Sequence, residues 1–278
     1  MVACDKEKII QDISWMRKRI LELSSNAGAN GSHIGGSLSM VEILAVLYSV
    51  LERDEADLEK RDRFILSKGH GALALYCMLE KKGLLAKEET ETFESNGTDF
   101  YAHAKRDIEK GIEFSGGSLS LGISFAVGVA LACKSKGIDN HIYVLVGDGE
   151  CNEGLLWEAV MAAANFRLNN LTVIVDRNCL QSDGFSDDIM NLSPLADKFS
   201  AFGFDTVEID GHSVEQLYKS LTTSSDKPKA IVAKTIKGKG VSFMENERSW
   251  HHGVLTDKLY EQALSELYIT KSGNCMSE

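Results

Sequence analysis

The stretch HIYVLVGDGECNEGLLWEA, residues 141–159, decides the fold. An apolar run from Ile142 to Val146 stops at Gly147-Asp148-Gly149, and helix-forming residues begin a few positions later. A run that is apolar throughout, without alternation, is the pattern of a strand covered on both faces, as in a parallel sheet. The same unit recurs downstream. The strand at 142–146 leads to a helix at 154–166, then strand LTVIVD at 171–176, a helix at 194–201, a strand at 204–209, a helix at 213–222 and strand AIVAKT at 230–235. Strands alternating with helices predict an α/β fold: a doubly wound, mostly parallel sheet with helices on both faces.

Upstream, Ile9, Ile10, Ile13, Met16, Ile20 and Leu23 fall at helical spacing, so residues 6–24 are predicted as an amphipathic helix. A Gly- and Asn-rich loop follows at 26–37, with Ser39 expected to cap a second helix, MVEILAVLYSVL. RFIL at 63–66 is a short strand bounded by SKGHG, residues 96–122 are irregular, and ISFAVGVALACKSK is a helix of small residues. No repeat or low-complexity tract interrupts this order. Residues 1–270 are expected to form a single domain, and 271–278 a frayed tail.

The composition supports one sizeable core: 278 residues, 44% apolar, 26% charged and only two prolines. A net charge of −11 speaks against a nucleic-acid or anionic-membrane surface. The first residues, MVACDKEKIIQD, are charged where a signal peptide would be apolar, and no run is long enough to span a bilayer. Six scattered cysteines without a CxxC pair read as reduced thiols, so the expectation is a cytoplasmic protein.

In open parallel sheets, ligands bind where strands end and helices begin. Helix N-termini there offer unpaired N–H groups that suit a phosphate. The glycines beside Asp148 permit a sharp turn and close approach of the backbone. A carboxylate facing a diphosphate repels it unless a hard cation lies between them, and Mg²⁺ or Ca²⁺ takes oxygen ligands of just these kinds. Asn178, just past the next strand, can supply a second oxygen, and a nearby backbone carbonyl a third. Asp148 as a turn residue and Asn178 as a cap is the blander reading of the same two positions.

Six segments in register, HIGGS, DRFILSKGHGALALY, SGGSLSLGISFAVG, GDGECNEGLLWEA, LTVIVDRNCLQSDG and KTIKGKGVSFMEN…WHHG, resemble the N-terminal, diphosphate-binding (PP-type) domain of transketolase across nearly the whole chain. The resemblance implies thiamine diphosphate as cofactor and Mg²⁺ or Ca²⁺ as metal, held by Asp148, Asn178 and the carbonyl of Leu180. Gly149 would lie against the diphosphate, and Gly117 and Leu119 would contact the aminopyrimidine. Glu153 and Glu158 would stand behind the cofactor at a subunit interface. His33, His70, His103 and His252 match the active-site histidines: His70 on the diphosphate side, His103 at the donor's terminal hydroxyl, and His33 and His252 above the thiazolium.

Departures fall beside these positions. Ser32-His33-Ile34 stands where Gly-His-Pro is usual, Ser118-Leu119-Ser120-Leu121-Gly122 replaces Ser-Leu-Gly-Gln-Gly, and His251-His252 doubles a single histidine. The Gly that follows favours His252 as the match. The roles of Lys237 and Lys239 stay open. Cys151 reads as a packing residue, and His141 and His212 as structural.

The resemblance also implies what a partner must bring. The glutamate that activates the cofactor through its pyrimidine ring belongs, in the family, to a following pyrimidine-binding domain, and no such domain is expected in these residues. The chain is therefore expected to be one half of a split transketolase, paired as α2β2 with a C-terminal subunit. Together they would move a two-carbon ketol unit from a ketose to an aldose, by default sugar phosphates. The alternatives are the α subunit of a thiamine-dependent 2-oxoacid dehydrogenase and a non-catalytic scaffold half.

Overall fold

The structure, a computed structural model, describes residues 5–52 and 61–273. Five strands build the sheet: β1 (Arg63–Leu66), β2 (Ile142–Gly147), β3 (Leu171–Arg177), β4 (Asp205–Asp210) and β5 (Lys229–Lys234). All neighbours pair in parallel, in the order β1-β2-β3-β5-β4. The expected α/β class, with its mostly parallel sheet, is what forms.

Each central strand sends alternate residues into two separate cores. Tyr143, Leu145, Ile174 and Ile231 pack on one face, under α1 (Lys6–Asn26), α2 (Ile34–Leu38), α3 (Val41–Val50), α4 (Ala72–Lys81) and α10 (Val214–Thr222). Val144, Val146, Val173, Val175 and Val232 pack on the other, under α6 (Leu121–Lys136), α7 (Gly154–Asn165) and α9 (Leu195–Ala201). Burial on both faces is why these strands are apolar without alternation. β4 is the exception: an edge strand with Ile209 alone buried, its Glu208 paired with Arg177 and Lys234.

Local signals mostly hold. The Asp5 carboxylate accepts the Lys8 N–H at 3.1 Å and caps α1. Short helices α5 (Lys87–Thr90) and α8 (Ser186–Ile189) and the longer α11 (Asp257–Gly273) complete the set. Residues 96–120 carry no helix or strand beyond a bridge between Asp107 and Ile112. Gly122 lets α6 close on the end of β1, because a Cβ there would lie 2.6 Å from the Ser67 Cα.

Two expectations shift. Ser39 does not cap the second helix: residues 34–38 are already helical, so Ser39 has helical dihedrals and Met40 takes the cap position. The Ser39 hydroxyl instead donates to the Asp176 carboxylate at 2.6 Å. The tail expected from residue 271 begins inside α11, which runs to Gly273, and 274–278 lie outside the described residues. No helix among the described residues is long and apolar enough to cross a membrane.

Candidate active site

At the carboxyl ends of β1, β2 and β3, and beside the loop that follows β5, lies a cavity of about 330 Å³. His33, Lys68, His70, His103, Gly117, Leu119, Asp148, Gly149, Glu150, Asn178, Leu180, Lys237 and His251 line it, among others. Nine of the twelve residues given a site role from the sequence meet here, drawn from segments far apart in the chain.

Asp148 is the hub of the β2 turn. One carboxylate oxygen accepts the Gly149 N–H at 2.9 Å, and the other accepts the Cys179 N–H at 2.7 Å and the Ser186 hydroxyl at 3.2 Å. This ties the turn after β2 to the turn after β3, where Cys179 takes a left-handed conformation (φ 59°) and folds the chain back between Asn178 and Leu180. Burial, and next the charge of Asp176, push the Asp148 carboxyl above its ordinary range. The Asn178 oxygen accepts the Leu180 N–H at 3.2 Å, and the Leu180 carbonyl accepts from Lys237 Nζ at 2.9 Å.

Two buried lysines set the charge of the cavity. Lys68 Nζ bonds the Gly36 carbonyl at 2.9 Å and forms an ion pair with the fully buried Asp176. Burial opposes ionisation of Asp176, but Lys68 and the hydroxyls of Ser39 and Thr235 hold its carboxyl below the usual range. Lys237 Nζ lies 2.8 Å from His251 Nδ1 as well as on Leu180, and burial, with Lys68 next, lowers its pKa to about 8.

Around these lysines the histidines gather. Rings of His103, His251 and His70 lie 5.5, 5.5 and 5.8 Å from that of His33. Burial, with the neighbouring imidazoles and then Lys237 acting in the same direction, lowers His33 to about 3, and burial with Lys237 lowers His251 to about 4. His70 is pushed well below its usual value, burial again being the main cause. These three imidazoles are neutral at neutral pH. His33 Nδ1 is buried without a hydrogen-bond partner, so it has acceptor or donor capacity left for a ligand.

The doubled histidine is divided between two places. His251 lines the cavity; His252, the residue favoured from the sequence, is exposed and covers His33 from outside at 4.7 Å, held by the bridge between Ser32 and Gly253. Glu153 and Glu158 sit exposed at the start of α7 and along it, outside the cavity lining. Lys68, Asp176 and Glu150 were missed in the sequence. The signal for Lys68 was its place in SKGHG, directly beyond a strand. Glu150 is 2% exposed and accepts from Ser67, from the Gly147 N–H at 3.0 Å and from the Ser120 N–H at 2.6 Å, which holds the left-handed turn beside Leu119.

The donor set fits a hard cation bound to an anionic ligand. Among the described residues no three His, Cys, Asp or Glu side chains are placed to hold a metal, so a cation here would rest on one carboxylate plus amide and carbonyl oxygens. The Leu180 carbonyl already receives a cation, the Lys237 ammonium. Gly69 and Gly117 let two backbones meet at the cavity wall, since a Cβ on Gly69 would lie 2.6 Å from the Gly117 nitrogen.

Residues 10–268 match the transketolase, thiamine diphosphate binding domain family. The chain is 41% identical over 257 residues to an apulose-4-phosphate transketolase subunit of Phocaeicola vulgatus, covering 90% of each. It is 40% identical over 258 residues to the 6-deoxy-6-sulfo-D-fructose transketolase subunit SqwG of a Clostridium species, covering 91% of this chain and 93% of that one. Among solved structures, the transketolase of Campylobacter jejuni superposes with a TM-score of 0.83 at 28% identity, over 94% of this chain and 42% of that one. The chain thus spans less than half of that protein.

Proposed function

The chain belongs to the transketolase family through its thiamine diphosphate-binding domain, and from that premise we propose that it is the diphosphate- and metal-binding subunit of a two-component transketolase. The observation that carries this is the convergence of Asp148, Asn178 and the Leu180 carbonyl with Lys68 and Lys237 in one cavity at the strand ends. The three oxygens would hold Mg²⁺ or Ca²⁺, the two lysines and His70 would face the diphosphate, and Gly117 and Leu119 would lie along the aminopyrimidine. When bound, thiamine diphosphate supplies the carbon that carries a two-carbon unit between sugars.

The remaining residues bind and move protons. His33 is half-buried and its Nδ1 is short of a partner, so it would accept the donor's C3 hydroxyl proton as the C2–C3 bond breaks. His103 would take the donor's terminal hydroxyl. His252, at the mouth above His33, would close over the sugar. Glu153 and Glu158, exposed on α7, would meet a partner subunit that supplies a pyrimidine-binding domain, in an α2β2 assembly in the cytoplasm.

The relatives' names point to ketoses with an anionic end, one a phosphate and one a sulfonate. A ketose of that kind is the proposed donor, with an aldose acceptor. No observation favours the 2-oxoacid dehydrogenase or the scaffold reading. The test is to co-purify the chain with its partner and assay ketol transfer from a panel of phosphorylated and sulfonated ketoses. Transfer by the pair, and none by this chain alone, is expected. Transfer by the chain alone, or oxidative decarboxylation of a 2-oxoacid by the pair, would overturn the proposal.

A further inference from the structure

His212 lies outside the cavity, in the turn between β4 and α10, yet it is bonded to the loop that carries Lys237. Its Nε2 lies 2.9 Å from the Ile236 backbone nitrogen. A backbone N–H can only donate, so Nε2 is the unprotonated nitrogen, and Nδ1 carries the hydrogen that reaches Glu42 Oε2 at 3.1 Å. The other Glu42 oxygen accepts from Arg17 Nη2 at 2.6 Å, and Arg17 Nε donates to the Lys239 carbonyl at 3.2 Å. Helices α1 and α3 thereby grip residues 236 and 239 on either side of Lys237.

The loop between these grips is tightly wound. The Gly238 N–H donates to the Gly35 carbonyl at 3.0 Å, and the Asn246 N–H to the Lys237 carbonyl at 2.9 Å. Gly238 has φ +76°, and a Cβ there would lie 2.3 Å from the Met244 carbonyl oxygen. Lys237 itself is 2% exposed, and its ammonium reaches both the Leu180 carbonyl and His251. A long lysine side chain has much rotamer freedom to lose, so its aim depends on a fixed backbone.

We infer that His212, braced by Glu42 and Arg17, is a positioning residue: its bond to the Ile236 N–H sets the loop so that Lys237 points at the Leu180 carbonyl and the diphosphate place. The cofactor half of this rests on the function proposed above; the positioning half does not. The two are separable by experiment. His212→Gln can present an amide oxygen near the Nε2 position and accept the Ile236 N–H, whereas His212→Asn places its amide near Nδ1 and can reach Glu42 but not Ile236.

In the full-length chain without cofactor, acylation of each lysine by an amine-reactive reagent is followed by mass spectrometry. Lys237 is expected to label slowly in wild type and His212→Gln. It should label roughly tenfold faster or more in His212→Asn, the change expected from losing a buried hydrogen bond, with other buried lysines unchanged. Equal Lys237 labelling in the Gln and Asn variants would overturn the inference.

A second arm measures the dissociation constant of thiamine diphosphate with Mg²⁺ in the complex with the partner subunit. His212→Asn should weaken binding, and the double variant with Lys237→Met should bind no more weakly than Lys237→Met alone, because one residue acts through the other. Independent, multiplying losses would contradict that. A wild-type complex that binds no thiamine diphosphate would refute the proposed function while leaving the labelling result to decide the role of His212.

Discussion

Asp148 does two jobs that a substitution can separate. Its carboxylate accepts from Gly149, Cys179 and Ser186, so it organises two turns as well as offering a cation an anionic oxygen. Asp148→Asn retains one oxygen acceptor and the size of the side chain but removes the charge. The melting temperature of the free chain should fall modestly, because one of the two N–H donors then faces an amide NH2, while cofactor affinity in the assembled complex drops by well over tenfold, in the range seen when support for a metal site is lost. Calorimetric titration with Mg²⁺ present reads this directly, and an unchanged affinity would rule out the metal assignment. The carboxylate was legible in the sequence because Gly-Asp-Gly at one strand end is joined by Asn178 just past the next strand. Lys68 and Asp176 were not. An ion pair between residues 108 apart in the sequence leaves no local pattern, and Asp176 reads simply as the polar end of LTVIVD.

Strands and helices were the easiest features to read, because β2, β3 and β5 are buried on both faces and so carry continuous apolar runs. The Ser39 cap failed because a residue's role as a cap depends on the conformation of the residues before it, and 34–38 fold into a helix that their glycines do not advertise. At the opposite end of β2 from the cavity, His141 shows another consequence of element packing. Its imidazole hydrogen-bonds Thr172 Oγ1 at 2.8 Å and lies tilted against the Tyr143 ring, and burial, with Lys229 next, lowers its pKa from 6.5 to about 4. The unfolded chain therefore binds the proton more readily than the fold does. The stability this neutral histidine contributes is fully present above pH 6.5 and is lost as pH falls from there towards about 4. Urea unfolding of the chain between pH 7 and 5 should show stability declining with acid. His141→Gln should decline less steeply, and identical slopes would contradict the burial of a neutral imidazole at this position.

For the molecule as a whole, two cores on one sheet fix where the strand ends converge, and that convergence assembles a cavity from residues 33 to 251. The fold was visible from order and spacing, and the set of contributing loops from the resemblance to the transketolase domain. The division between His251 and His252 was not, since it rests on the bridge from Ser32 to Gly253 and on the contact of His251 with the Lys237 ammonium, both long-range in sequence. Leu119 at the cavity wall, with Leu121 and the acidic pair at the start of α7 and along it, is exposed, and the proposed partner subunit would cover this side. The most direct test is a crystal structure of the chain with its partner, grown with thiamine diphosphate and Mn²⁺ in place of Mg²⁺, with the metal located by anomalous scattering. The expected peak lies in coordination contact with the Asp148 carboxylate, the Asn178 amide oxygen and the Leu180 carbonyl, with Lys237 turned from that carbonyl towards the diphosphate. A peak elsewhere, or a diphosphate bound away from these three oxygens, would contradict the assignment of the cavity.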